Sequence, residues 1–138
     1  MSYASYKEFT AKYDIERIGQ ATDDIGQSEA VEEFVNIFLQ DASSFIDTYL
    51  RPRYVVPVTQ TSYELRRACC IIAWHDIDRR RGGNPEDDRH IEYDEIIEWL
   101  KDVQNGEADL PNVPVRSERA AVFSSETNLY TEEEFKNY

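Results

Sequence analysis

The longest regular pattern of apolar positions in this chain lies between residues 29 and 50. Apolar residues recur there at every third or fourth position, which is the spacing of one face of an α-helix. The pattern predicts a helix of 22 residues, about 33 Å long, with Ser28 as its N-cap. Its apolar face consists of Val31, Phe34, Val35, Phe38, Leu39, Ala42, Phe45, Ile46, Tyr49 and Leu50.

A second long helix is predicted after Thr61, which has the spacing of a capping box with Glu64. It runs to about Arg80, and Gly82–Gly83 ends it. Its apolar residues fall on more than one side, which is typical of a central helix packed against several others.

The last predicted helix starts at Asn84–Pro85, with the proline at its first position, and closes at Asn105–Gly106. At the other end of the chain, residues 5–13 predict a short helix capped by Ser5, and residues 14–19 predict a further turn with Ile15 and Ile18 inward. The fold class is therefore an all-α small bundle of about four to five helices, two of them long.

An irregular segment follows the first long helix. Arg51 precedes Pro52, and a residue before proline is disfavoured in the α region, so the helix is predicted to end on Leu50. The chain then continues as a short apolar run punctuated by Pro57. We expect Arg51 and Arg53 to face a neighbouring subunit or a helix end, and not DNA.

The character of the chain changes at its C-terminal end. Pro111 and Pro114 disfavour a helix, and the residues beyond them have few aliphatic side chains. The sequence predicts a helical domain over 1–110 and an extended arm over 111–138 that becomes ordered against a partner. The alternative is a frayed terminus. Four spaced aromatic residues favour the arm and are its expected contact residues: Phe123, Tyr130, Phe135 and Tyr138.

Composition limits the classes of partner. The 138 residues carry a formal net charge of −13, which opposes the counterion exchange that sequence-independent nucleic-acid binding requires. No apolar run approaches the roughly 18 residues of a membrane helix, so we expect no membrane contact. The N-terminus lacks the apolar core of a signal peptide, which predicts synthesis in the cytoplasm.

Few residues are candidates for chemistry. Cys69 and Cys70 are adjacent in a predicted helix, where their side chains point about 100° apart and do not chelate one metal together. His75 and His90 lie on different helices, and residues 23–26 lack the alternating acids of a calcium loop. We therefore expect buried thiols, no metal, no cofactor and no enzymatic activity.

Charge is segregated along the sequence. Arginines gather between residues 51 and 81, whereas residues 86–109 carry ten acids against Arg89 and Lys101. Head-to-tail contact between identical subunits is one interpretation, and pairing within the chain is the other. The expected interface set is Arg51, Arg53, Arg79, Arg80 and Arg81 with Glu86, Asp87 and Asp88.

The chain resembles the head–tail connector proteins of tailed phages, in particular a small Mu-like prophage family. The segment Asp41–Asp47 followed by Tyr49–Leu50, Arg53–Tyr54 and Pro57 is similar to the core signature of that family. Weaker similarities cover the rest of the chain: Tyr3–Phe9, Ile15–Ile18, Ala21–Asp23, Leu65–Ala73, Tyr93–Gly106, Leu110–Pro111, Phe123–Ser125, Tyr130–Thr131 and Phe135.

The resemblance implies a structural virion protein of the neck, at the head–tail junction. Such adaptors form a ring on the portal vertex, typically with its twelvefold symmetry, and bind a stopper or tail-terminator protein on the opposite face. The arm of each subunit docks onto the portal or a neighbour, and DNA passes through the channel without specific binding. The alternative is a small acidic DNA mimic or inhibitory binding protein that occupies a basic groove.

Overall fold

Five α-helices form the part of the chain that the computed structural model describes, residues 2–80, 88–111 and 113–115 without the side chains of residues 88–90. They are α1 (Tyr6–Lys12), α2 (Ile15–Ala21), α3 (Ser28–Leu50), α4 (Tyr63–Arg79) and α5 (Asp88–Asn105). Within those ranges, β pairing is limited to one isolated antiparallel bridge between Tyr54 and Val115. The predicted all-α bundle is confirmed. None of the described helices is long and apolar enough for a membrane crossing.

Helix α4 lies at the centre of the bundle and packs against α1, α3 and α5. Every residue from Ala68 to His75 is buried, so this helix has neighbours on all sides over about two turns. The ring of Trp74 stacks on Tyr13 with centroids 4.9 Å apart and lies 6.2 Å from Phe9. The apolar residues on several sides of this helix therefore reflect its central position, as predicted.

Helix α1 begins as predicted. The hydroxyl of Ser5 accepts the amide of Glu8, and the Glu8 carboxylate accepts the amide of Ser5, which completes a capping box. Helix α2 begins after Asp14, which caps it, and its buried residue is Ile18. The prediction that Ile15 also points inward is wrong: it is 67% exposed, because so short a helix contacts the core on one side of a single turn.

The starts of α3 and α4 each differ by one residue from the prediction. Ser28 is already helical, and Gln27 occupies the N-cap without a side-chain bond, because Gly26 turns the chain with φ of 120° just before it. Ser62, and not Thr61, caps α4, since its hydroxyl accepts the amide of Leu65. The capping box predicted for Thr61 and Glu64 is therefore wrong.

Helix α5 ends where the sequence predicted. Gly106 adopts φ of 88°, a left-handed conformation that costs glycine little, and its amide donates to the carbonyl of Val103. The amides of Glu107 and Ala108 both donate to the carbonyl of Asp102. The predicted helix stop at Gly82–Gly83 and the helix start at Asn84–Pro85 lie outside the described residues.

Tyr3 fastens the N-terminal segment to the bundle. It is buried, its amide donates to the hydroxyl of Ser43, and its own hydroxyl donates to the carboxylate of Asp47. The same hydroxyl accepts the amide of Val58, 2.9 Å away. Burial and the bond to Asp47 raise the pKa of the Tyr3 phenol well above its ordinary value.

Replacing Tyr3 by phenylalanine is expected to destabilise the fold by about 1–3 kcal/mol, because the buried amide of Val58 loses its acceptor and Asp47 loses a donor. Urea unfolding followed by circular dichroism measures the change. The matched variant Tyr63→Phe, at a residue that is 65% exposed, should stay within about 0.5 kcal/mol of the parent. Equal losses in both variants would contradict this role of Tyr3.

Candidate functional site

The segment of residues 51–58, which we call the joint, contacts two distant parts of the chain, the N-terminal segment and the residues that follow α5. At its end, the amide of Val58 donates to Tyr3. In its middle, the hydroxyl of Tyr54 accepts the amide of Leu110, and the amide of Val55 donates to the carbonyl of Pro114 at 3.2 Å. The joint therefore fixes the place where the chain leaves the described fold.

Arg53 of the joint lies against the C-terminal end of α5. Its Nη1 donates to the carbonyls of Val103 and Ala108 at 2.6 and 3.0 Å, and its Nη2 pairs with Asp109 at 2.8 Å. The guanidinium also lies 5.1 Å from the centroid of the Tyr54 ring. A cation at the carbonyl end of a helix is favoured by the helix dipole, and the planar fork of arginine reaches all three acceptors.

Arg80 is also engaged within the chain. Its guanidinium makes two bonds to the Asp24 carboxylate, at 2.9 and 3.0 Å, and donates to the carbonyl of Ala21. It covers the ring of Phe34, 4.8 Å from the centroid. Pairing within the chain thus accounts for Arg53 and Arg80, although the Arg80 partner comes from the turn after α2 and not from α5.

The remaining predicted interface residues fall into two groups. Arg51 and Arg79 are exposed, on the joint and at the end of α4. Outside the described residues or side chains lie Arg81, Glu86, Asp87, Asp88, Phe123, Tyr130, Phe135 and Tyr138. A subunit interface built from these residues stays a prediction, as does the division of the chain at residue 110. Leu110 and Val113, on either side of that boundary, are both buried in the core.

The sequence pattern assigns a second surface, on α3, to the core. In the structure the side chains of this surface are half-buried or exposed. The α3 aromatic edge consists of Phe34, Phe38, Phe45 and Tyr49, together with Ile37. The rings form two pairs, Phe34 with Phe38 at 4.9 Å and Phe45 with Tyr49 at 5.4 Å. Ile37 is 58% exposed and Phe45 is 36% exposed. Ile37 falls outside the regular stripe of α3, and that offset is the sequence signal for an apolar residue without a place in the core.

A shallow groove crosses α1, α4 and α5 on another side of the bundle. Its first part, the basic pocket, has a volume of about 360 Å³ and is lined by Lys12, Arg66 and Arg67 beside the exposed ring of Tyr63. Tyr63 and Arg67 also line the middle part, of about 310 Å³, which reaches Trp99. The last part lies along α5, where the exposed side chains are mostly acidic.

The residues considered for chemistry have structural positions. Cys69 and Cys70 are buried thiols, and Sγ of Cys69 lies 3.4 Å from both the Ser43 hydroxyl and the Leu39 carbonyl. Burial raises the pKa of Cys69 and raises that of Cys70 to about 12. His75 stacks on Tyr93 with centroids 3.6 Å apart. Among the described side chains, no three His, Cys, Asp or Glu residues cluster as metal ligands would.

Comparison with known proteins identifies the family. Residues 3–125 match the model of the family described as Bacteriophage Mu, Gp36. Gene product J of Escherichia phage Mu is 33% identical over 121 residues, which cover 85% of this chain and 81% of that protein. Mu-like prophage FluMu protein gp36 of Haemophilus influenzae is 28% identical over 133 residues, which cover 93% and 92%. The resemblance to a Mu-like phage family is thus confirmed, and the chain belongs to the Bacteriophage Mu, Gp36 family.

Proposed function

We propose that this protein is a structural component of the phage particle, an adaptor that forms a ring on the portal vertex and connects head and tail. The observation that carries the proposal is the family match, which relates residues 3–125 to proteins of phage Mu and of a Mu-like prophage. The proposed role is structural and not catalytic. It places the protein in the neck of the virion after synthesis in the host cytoplasm.

The α3 aromatic edge supports contact between copies of the chain. Exposed apolar side chains grouped on one face often mark an interaction site, and this protein is otherwise rich in exposed charge. Ile37 and Phe45 stand furthest out of this edge. A ring of twelve copies, matching the portal, would cover this edge on every subunit.

The net charge supports a channel for DNA. A formal charge of −13 on each copy repels the phosphate backbone, so that DNA slides through a ring without being held. The C-terminal arm, with Phe123, Tyr130, Phe135 and Tyr138, would bind the portal or a neighbouring subunit. The face opposite the portal would receive the stopper or tail-terminator protein.

The test uses the full-length chain and DNA-filled heads of a Mu-like phage that lack it. After incubation, electron cryomicroscopy of the heads should show an added ring on the portal, with twelve copies of the chain. Heads without a portal serve as the control and should remain bare. Absence of the ring, together with tight binding of a monomer to a DNA-binding enzyme, would favour the DNA-mimic alternative and reject the adaptor.

A further inference from the structure

The basic pocket is a local exception on an acidic protein. Three cationic side chains, Lys12, Arg66 and Arg67, line it against the single carboxylate of Glu8. Arg66 is paired with that carboxylate at 3.5 Å and donates to the carbonyl of Thr61. Within the described part of the chain, Arg67 has no acidic side chain at ion-pair distance. The pocket thus has a surplus of positive charge and favours an acidic ligand.

The groove that contains this pocket changes sign along its length. From the basic pocket it passes the rings of Tyr63 and Trp99 and reaches α5. Its far part is lined by Asp94, Glu95, Glu98 and Asp102. The middle part also contains the carboxylates of Glu64 and Glu95 beside Arg67. A ligand that fits the whole groove therefore has an acidic end, a middle that contacts the rings of Tyr63 and Trp99, and a basic end.

The last 23 residues of the chain have this order of charges in their sequence. Arg116 and Arg119 come first, with Glu118 between them. Phe123 and Glu126 follow, and the three consecutive acids Glu132–Glu134 stand near the end, before Lys136. The segment starts after Val115, which pairs with Tyr54. The carbonyl of Asp102, from the acidic end of the groove, binds the turn that leads to this exit. Val115 thus pairs with the joint, which lies against the C-terminal end of α5, the helix that carries the acidic part of the groove.

Length permits the acidic end to reach the pocket. The 17 residues that follow Val115, up to Glu132, extend to about 60 Å at most, whereas the longest described helix, α3 with 23 residues, is about 35 Å long. A tethered segment also has an effective concentration in the millimolar range, far above that of a second chain in a micromolar solution. A chain's own segment is therefore favoured over that of a neighbour.

We propose that in the free protein the basic pocket binds the chain's own acidic stretch, Glu132–Glu134, and that Arg116 and Arg119 lie beside the acids of α5. This contact belongs to the free chain and does not depend on a ring. Its test therefore fails or succeeds separately from that of the proposed function.

A zero-length carbodiimide cross-linker tests the contact, because it joins a lysine and a carboxylate only where they touch. The sample is an equal mixture of unlabelled and ¹⁵N-labelled full-length chain at low micromolar concentration. We expect mass spectrometry to find Lys12 joined to one of Glu132–Glu134, with both peptides carrying the same label. Salt at 1 M should lower the yield about tenfold, since screening weakens exposed ion pairs.

Two comparisons make the result specific. Arg67→Gln should lower the yield of the Lys12 cross-link severalfold, whereas Arg79→Gln, at an exposed arginine outside the groove, should leave it unchanged. Lys101, on the exposed surface of α5, should not join the acidic stretch. Cross-links that join differently labelled chains, equal yields at Lys12 and Lys101, or no link from Lys12 to this stretch would each overturn the proposal.

Discussion

Replacing Ile37 and Phe45 together by glutamate should abolish assembly on the portal while the single chain stays folded. Both side chains are exposed enough that a carboxylate in either place remains hydrated in the free chain. The cost to the free energy of unfolding should stay below about 1.5 kcal/mol. If a neighbouring subunit covers this edge, each contact buries two new charges without partners. That costs at least about 3 kcal/mol, or about a hundredfold in affinity, per contact.

Occupancy of the portal vertex, counted in electron micrographs of heads incubated with each variant, measures the effect. The matched control places the same two charges on the other exposed edge of α3, as Asn36→Glu and Gln40→Glu. The control should assemble like the parent. If the variant with glutamate at 37 and 45 also assembled like the parent, the α3 aromatic edge would not be a subunit contact.

Replacing Arg53 by methionine should destabilise the fold by about 2–4 kcal/mol. Methionine keeps much of the apolar stem but removes three donor contacts, two of them to backbone carbonyls at the end of α5. A part-buried carbonyl that loses its donor raises the free energy of the folded state. The loss of the cation at the negative end of the helix dipole destabilises the fold further. The effect should appear in urea unfolding as a lower midpoint with an unchanged slope.

Two further variants separate the parts of this contact. Asp109→Asn should cost less than about 0.5 kcal/mol, because Asp109 is 78% exposed and a solvated ion pair contributes little. Arg53→Lys should recover only a minor part of the loss, since one ammonium does not reach two carbonyls and a carboxylate in the same geometry. A methionine variant as stable as the parent would show that Arg53 serves a surface role and not the end of α5.

The sequence predicted the helices well because each one has a regular apolar spacing that is local. It was less successful at helix starts. Thr61 and Ser62 are adjacent and differ little in energy as caps, whereas at Gln27 and Ser28 the turn at Gly26 sets the start of the helix and not the better capping side chain. The number of positions that are buried on one face of a helix also depends on the neighbouring elements and not on local spacing. The stripe of α3 includes Phe45 whether or not a neighbouring element covers it, so its exposure became evident only in the fold.

The contacts of the joint were beyond sequence reasoning for a different reason. Arg53 and Val103 are 50 residues apart, and Tyr3 and Val58 are 55 apart. Nothing in local spacing pairs such residues. The sequence did single out the joint as unusual and placed Arg53 beside a helix end or a neighbour. The structure shows which helix end it contacts, while its part in any subunit contact awaits the test of assembly.

The attachment of the chain's exit to the joint has a mechanical consequence. When tension is applied to the chain beyond Val115, two hydrogen bonds carry it before the last turn of α5 does. They join Val55 to Pro114 and Leu110 to Tyr54. The load then passes into α3 through the joint, and into the N-terminal segment through Tyr3 and Val58. A partner that pulls on the C-terminal end therefore strains the whole bundle at once and does not peel α5 away from it.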